Sequence, residues 1–417
     1  MAESVKIVPP TSRKLFLDNV RWVTVLCVLV FHVFYYYHAD YYGTGGRFSE
    51  WQWQDVFLYL LNPWFMLLLF LVAGVSSKYA LTYQKTGMFV RNRTRKLLLP
   101  CTIGLLFLQL VCCYFLERTK GDLASGAHLL DCLRMRIDEP SSVVNQWLRL
   151  LCHLWFIVDL WVFSILLMPI RKMEKDRVYA WTGRMFSLSN SESALRRFAL
   201  DAVLVVGGWL VIWVTTQFNE THTHYLTIRH LWNTFHPVNY FAAFLMGYYV
   251  FSHDAVQERV ARLRIPLLVA AVIAGAWFAN KYMALALDLR LQGITNLYRK
   301  GSLFGAQKAL GSVIGSAFVW LTILAMLGCF KAWANKTNRF ATYMAKSSYG
   351  IYIVHYCVMA VVGFWLKTYT SLMPWAKYVI LLVSVLLFSP LVYEVIKRIP
   401  FVRWCVLGMT KTKKVEK

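Results

Sequence analysis

The stretch LDNVRWVTVLCVLVFH, residues 17–32, decides the fold, because it is as apolar as a membrane-spanning helix and still carries Asp18, Arg21 and His32. An α-helix of about 3.6 residues per turn places all three on one face, with Arg21 and His32 about 16 Å apart along the axis. Such groups cost a few kcal/mol when they face lipid, so the face is predicted to point into a bundle of helices. The alternative, an interfacial Asp18–Arg21 ion pair beside a hydrogen-bonded His32, stays open.

The whole chain has the composition of an integral membrane protein. Of its 417 residues, 58% are hydrophobic and only 16% are charged. Several apolar runs approach the ~20 residues that cross a hydrocarbon layer of about 30 Å, and no long linker divides them. We predict an all-α, polytopic membrane protein in which one transmembrane domain, residues 15–396, lies between a short segment, 1–14, and a basic tail, 397–417. About ten spans are predicted, at residues 15–37, 56–77, 97–116, 153–170, 198–217, 231–250, 265–280, 303–330, 347–366 and 375–396.

The net charge of +24 follows this topology. Six Lys or Arg residues lie between Lys78 and Lys96, a predicted cytoplasmic segment, against one between His38 and Asp55, a predicted outer loop. The asymmetry is typical of the positive-inside rule and predicts that both termini are cytoplasmic. The basic excess is therefore assigned to topology and to lipid headgroup contacts, and a nucleic-acid surface is not predicted.

Neither a disulfide framework nor a metal centre is indicated. The nine cysteines contain no CxxC pair, and most fall within or beside spans, which favours buried thiols. The histidines of one outer turn lack a nearby Cys or paired carboxylate, so we predict no metal there; they are His222, His224, His230 and His236. No Walker A loop, nucleophile elbow or HExxH motif occurs, which leaves ATP hydrolysis, serine-hydrolase chemistry and zinc proteolysis without support.

A basic segment, RNRTRKLLLP at residues 91–100, opens the third predicted span. Its charge comes from Arg91, Arg93, Arg95 and Lys96. Arg93 and Lys96 are three residues apart, share a helix face and suit phosphate oxygens, and a helix N-terminus adds partial positive charge. The alternative is a simple positive-inside anchor.

Two later segments bury polar groups at membrane depth. In SSYGIYIVH, residues 347–355, the side chains of Ser348, Tyr352 and His355 share one face. His355 lies about 14 Å along the helix from Lys346, near the midplane. A histidine at that depth is a functional candidate, and a hydrogen bond to a neighbouring helix is the alternative. Asp159, inside the fourth span, needs a partner or a wet cavity.

These segments together resemble the acyltransferase 3 family of membrane O-acyltransferases. The matching pieces occur in the family's order and cover nearly the whole chain: residues 17–32, PWFMLLLFLVAG at 63–74, RTRKLLLP at 93–100, HLWF at 153–156 and SYGIYIVH at 348–355. The resemblance implies a multi-pass plasma-membrane enzyme that moves an acyl group from cytoplasmic acyl-CoA to a hydroxyl of an extracytoplasmic glycan or related envelope acceptor. Acetyl is the expected acyl group.

The resemblance also implies residue roles. His32 matches the family's essential histidine, as base or acyl carrier, and Arg21 matches its upstream partner. Asp18 is placed beside them in catalysis, where it would fix Arg21. The family's Arg-x-x-Arg motif has its closest match at Arg93 and Lys96, a departure from the pattern. The expected donor-binding residues are Arg21, Arg91, Arg93, Arg95 and Lys96, and the expected supporting residues are Asp159, Ser348, Tyr352 and His355.

Two other function classes fit parts of the same pattern. A glycan or lipid transporter or flippase would line its pathway with the same intramembrane charges, and CoA binding separates it from the enzyme. A scaffold of an envelope assembly complex would keep the fold without the chemistry, which Arg21 and His32 at the family spacing argue against. The aromatic residues of the first outer loop, 38–55, are predicted either to stack on sugars or to anchor at the membrane interface.

Overall fold

The computed structural model describes residues 14–36, 55–121, 123–124, 126–137, 151–187, 193–222, 237–291 and 313–410. All regular elements in these ranges are helices, which confirms the all-α prediction. The outer loop at 38–54, His224, His230, His236 and the last seven residues of the tail lie outside the described ranges. The α-helices are α1 (Leu15–Tyr36), α2 (Asp55–Tyr83), α3 (Thr86–Arg93), α4 (Leu105–Lys120), α5 (Leu129–Ile137), α6 (Trp155–Glu174), α7 (Arg177–Met185), α8 (Ala194–Ala202), α9 (Gly208–His222), α10 (Pro237–Met246), α11 (Asp254–Arg262), α12 (Arg264–Leu291), α13 (Val313–Trp333), α14 (Arg339–Tyr369), α15 (Pro374–Arg398) and α16 (Pro400–Leu407).

Several helices are long and apolar enough to cross a membrane. In the described part of the chain there are six, or up to seven if α11 and α12, bent by 67° at their junction, form one broken span. The protein is therefore a multi-pass membrane protein. The count of ten spans and the cytoplasmic position of both termini stay predictions. The six are Leu15–Tyr36, Leu60–Tyr83, Ala194–Phe218, Val313–Trp333, Arg339–Tyr369 and Trp375–Arg398.

Helix α1 lies inside the bundle. It packs against α2, α13, α14 and α15, and apolar residues such as Val20, Val28 and Leu29 on it are almost fully buried. Helix α1 therefore lies in a bundle of helices and is not surrounded by lipid alone. Burial of these side chains stabilises the helix, because helices in proteins owe most of their stability to packing against neighbouring elements.

Both ends of α1 are hydrogen-bonded to other elements. Near its start, Asn19 Nδ2 donates to the carbonyl oxygens of Ala334 and Lys336, at 2.7 and 2.8 Å. At its last residue, the Tyr36 hydroxyl is 2.8 Å from Thr119 Oγ1 on α4. These contacts hold the segment of α1 that carries Arg21 and His32 against its neighbours.

A close backbone crossing joins α2 to α10. A Cβ atom on Gly74 would lie 2.0 Å from the Phe244 carbonyl oxygen, and one on Gly247 would lie 2.0 Å from the Leu71 carbonyl oxygen. Only glycine allows the two backbones to approach this closely. Small residues at helix crossings are a common means of tight packing in membranes.

Candidate functional site

Three histidine rings from three elements meet beside α1. They are His32 on α1, His355 on α14, and His153 in the short 3₁₀ segment before α6. Ring centroids are 5.0 Å apart for His32 and His355, 5.1 Å for His153 and His355, and 6.5 Å for His32 and His153. The sequence predicted His32 and His355 as site residues. It missed His153, although the residue begins the HLWF segment that carried the resemblance.

The hydrogen-bond partners assign the tautomer of each ring in the chain from Tyr352 to His32. His355 Nδ1 lies 2.6 Å from the Tyr352 carbonyl oxygen, and a carbonyl only accepts, so Nδ1 carries the proton. His355 Nε2 is then a bare acceptor, 3.1 Å from His32 Nδ1, which must donate to it. His32 Nε2 is left as a bare nitrogen, able to act as base or nucleophile.

His153 is held by its own contacts. Its Nε2 lies 3.1 Å from the Ile353 carbonyl oxygen and therefore donates. Its ring stacks on Tyr356 at 4.8 Å, and its carbonyl oxygen accepts from the Tyr352 hydroxyl. The remaining nitrogen, Nδ1, is buried and has no hydrogen-bond partner in the described part of the chain. An unpaired buried acceptor costs about 1–3 kcal/mol, so it calls for an explanation.

A cluster of positive charge lies nearer the start of α1. Arg21 Nη2 is 2.9 Å from Asp18 Oδ1 and donates to the Ala345 carbonyl oxygen at 3.0 Å. Arg93 Nη2 donates to Ser77 Oγ at 2.9 Å. Partial burial of Arg93 and the nearby charge of Arg21 lower the pKa of the Arg93 guanidinium to about 10, which leaves it charged at neutral pH.

Lys96 completes this cluster, here defined as Arg21, Arg93 and Lys96. The charges of Arg93, Arg95 and Arg21 act on the Lys96 ammonium. The Tyr349 hydroxyl donates to the Lys96 carbonyl oxygen. Among the residues that the structure describes, neither Arg93 nor Lys96 is ion-paired with a carboxylate. Like charges gathered with so little compensation favour a bound anion.

The backbone that carries Lys96 differs from the regular helix that the sequence predicts. Helix α3 ends at Arg93, and Thr94–Leu98 is π-helical. Such π-helical turns often occur at functional sites because they change the direction of side chains. Gly408, at φ +60°, lies against this turn, where a Cβ atom would be 2.3 Å from the Arg95 carbonyl oxygen. The end of α16 thus supports the basic segment.

The other predicted basic residues lie at the margin of the cluster. Arg91 is exposed, and Arg95 Nη2 donates to Asn92 Oδ1 at 3.4 Å. Asp18 has its predicted contact with Arg21, but it lies about 21 Å from His32 along α1. It therefore acts on Arg21 and is too far from His32 to touch the same reacting atoms.

The remaining predicted residues are all buried. Tyr352 contacts both His355 and His153. Ser348, two helical turns from His355 on α14, has a buried hydroxyl with no hydrogen-bond partner within the described residues. Asp159 is buried on α6 and makes no hydrogen bond with the three histidines in the described structure. In the same described ranges, no three His, Cys, Asp or Glu side chains form a metal-ligand group.

Two contacts tie α1 to α14 and set the spacing of the site. Arg21 meets Ala345 at one level and His32 meets His355 at the other. The steps are eleven residues on α1 and ten on α14, about 15–16 Å in both. The two helices therefore run side by side, with the basic cluster at one level and the histidines at the other.

Comparison with known protein families identifies one that matches this chain. A family model described as an acyltransferase domain, Acyl_transf_3, matches residues 14–394, nearly the whole chain. No curated protein and no solved structure matches.

Proposed function

Because the chain belongs to the acyltransferase 3 family and is an acyltransferase, we propose that it moves an acyl group from acyl-CoA to a hydroxyl of an extracytoplasmic glycan or related envelope acceptor. We propose acetyl as the acyl group and the plasma membrane as the location. One observation carries the proposal. Arg21 of the basic cluster and the bare His32 Nε2 lie about 16 Å apart along α1, each beside a contact with α14, and Arg93 and Lys96 lie at the level of Arg21.

This spacing fits the shape of the donor. The arm of CoA from its pantetheine phosphate to its sulfur contains about 13 bonds. An extended chain advances roughly 1.1–1.2 Å per bond, so the arm spans about 15 Å. With its phosphates on Arg21, Arg93 and Lys96, the thioester would reach the level of His32. Guanidinium groups suit phosphate because they donate two parallel hydrogen bonds.

The proposed reaction uses His32 Nε2 as a general base. The nitrogen takes the proton of the acceptor hydroxyl while its oxygen attacks the thioester carbonyl carbon. The carbon–sulfur bond then breaks, and the CoA sulfur receives the proton from His32. His355 holds His32 throughout, since its bare Nε2 accepts from His32 Nδ1–H whether His32 is neutral or protonated.

A second route starts from the same nitrogen. His32 Nε2 would attack the thioester, release CoA and carry the acyl group until the acceptor hydroxyl takes it. Release of CoA before any acceptor is added would support this route. The transporter hypothesis needs neither route, and the family match favours the enzyme over it.

The test is a thermal-shift and transfer assay on the purified protein in lipid nanodiscs. Acetyl-CoA and CoA should both raise the thermal midpoint of the wild type and of His32→Ala, since the basic cluster binds them independently of His32. Transfer of labelled acetyl to glycan acceptors should disappear in His32→Ala. A stable His32→Ala protein with full transfer would refute the role of His32, and no stabilisation by either molecule would refute the donor site.

A further inference from the structure

Two neighbouring imidazole rings in the site each keep one bare nitrogen. One is His32 Nε2, left free by the chain through His355. The other is His153 Nδ1, left free because Nε2 of that ring donates to the Ile353 carbonyl oxygen. The two rings are 6.5 Å apart at 76°, and both pack on Tyr356, His32 edge-on and His153 face to face.

His153 Nδ1 is not explained by packing. The residue is about 95% buried, and its Nδ1 has no hydrogen-bond partner in the described structure. His32 and His153 cannot bond to each other across this gap, because ring centroids 6.5 Å apart keep any two ring nitrogens about 4 Å or more apart, which is beyond hydrogen-bond range. A ligand with hydrogen-bond donors would satisfy both.

For an acceptor that is an alcohol, the number of hydroxyl protons restricts the arrangement that satisfies both nitrogens. Each bare nitrogen accepts one hydrogen bond and donates none. A single hydroxyl has one proton and satisfies only one of them. Two neighbouring hydroxyls supply two protons, and the oxygens of a vicinal diol stand about one hydrogen-bond length apart.

We propose that His153 is an acceptor-positioning residue and that the acceptor presents a vicinal diol, as sugars and other polyols do. One hydroxyl donates to His32 Nε2 and is acylated. Its neighbour donates to His153 Nδ1 and holds the first in line with the thioester. This assignment rests on the proposed function, because it uses His32 as the group that takes the acceptor proton.

Two variants of His153 separate its nitrogens. In His153→Gln, the side-chain amide can still donate to the Ile353 carbonyl from the Nε2 position, but the acceptor at Nδ1 is lost. In His153→Asn, the side-chain oxygen can occupy the Nδ1 position, but the bond to Ile353 is lost. The comparison therefore distinguishes a contact with substrate from a purely structural bond.

The assay measures acetyl transfer from acetyl-CoA to methyl glycosides and to their monodeoxy analogues. The wild type should prefer each acceptor with neighbouring hydroxyls by about tenfold in kcat/KM, the effect of one hydrogen bond. His153→Gln should lose this preference through a higher KM for the diol acceptors, so that its kcat/KM becomes equal for diol and monodeoxy acceptors. His153→Asn should keep the preference.

Three results would overturn the proposal. They are a wild type without preference for diols, a preference retained in His153→Gln, and a stronger preference for an amine, which also carries two protons. Stabilisation by CoA shows that each variant is folded and that the donor half of the proposed function stands. Loss of that stabilisation in the wild type would instead refute the proposed function itself.

Discussion

The bond between His355 and His32 predicts a specific loss of rate. Replacing His355 by leucine keeps the site apolar and close in volume but removes the His355 Nε2 acceptor that lies 3.1 Å from His32 Nδ1. During transfer His32 becomes positively charged, and a hydrogen bond to a charged group contributes about 1.5–3 kcal/mol. Since about 1.4 kcal/mol is a factor of ten in rate, kcat should fall about 10- to 150-fold.

The matched control is His355→Gln. The glutamine amide oxygen can take the place of Nε2 and accept from His32 Nδ1–H, so most of the rate should return. Neither variant touches the basic cluster, about 15 Å away along α14. The KM for acetyl-CoA and the stabilisation by CoA should therefore be unchanged in both.

The measurement is initial-rate acetyl transfer in nanodiscs with acetyl-CoA varied at a saturating acceptor. A His355→Leu protein that is folded and keeps wild-type kcat would show that His32 needs no partner. Equal losses in His355→Leu and His355→Gln would show that ring shape, and not the hydrogen bond, matters. Either result would contradict the tautomer assignment on which the proposal of His32 Nε2 as the reactive nitrogen rests.

Other substitutions test the donor side. Arg93→Ala/Lys96→Ala should raise the KM for acetyl-CoA at least tenfold at low ionic strength. The difference should be smaller in high salt, because salt weakens acetyl-CoA binding more in the wild type than in the variant, and KM measured over a salt series checks this. Asp18→Asn should raise the same KM by less than about fivefold, because its ion pair is partly exposed; a larger change in kcat than in KM would contradict its role on the donor side. Gly408→Ala should lower both the thermal midpoint and CoA affinity, since its Cβ atom would meet the Arg95 carbonyl at a positive φ. Gly87→Ala is the matched control, with open space around it, and equal effects of the two alanines would refute the contact.

The sequence predicted the parts of the site that follow from one helix. The common face of Arg21 and His32 follows from helical periodicity, as does the ion pair between Asp18 and Arg21, three residues apart. Burial of His355 follows from its place in an apolar run. These features depend on spacing along the chain, which a sequence shows directly.

The remaining features depend on contacts between distant segments. His153 lies in a short 3₁₀ turn, so no periodic pattern marks its direction, and its place beside His355 is set by the packing of α14. The π-helical turn at Thr94–Leu98 packs against Gly408, more than 300 residues away in the chain. π-helical turns also interrupt predicted spans, such as Val203–Gly207 within 198–217, and they leave no mark in hydropathy.

The attachment of α1 at both ends bears on how an acyl group could cross a membrane. Arg21 and His32 lie on one continuous helix with no joint between them, and Asn19 and Tyr36 secure it near each end. The thioester would then reach His32 because the pantetheine arm of the donor is long enough. The fixed distance between Arg21 and His32 would set the length that this arm must have. Thioesters on shorter arms would stop below His32. Such a passage needs no alternating-access cycle and draws its driving force from the thioester alone.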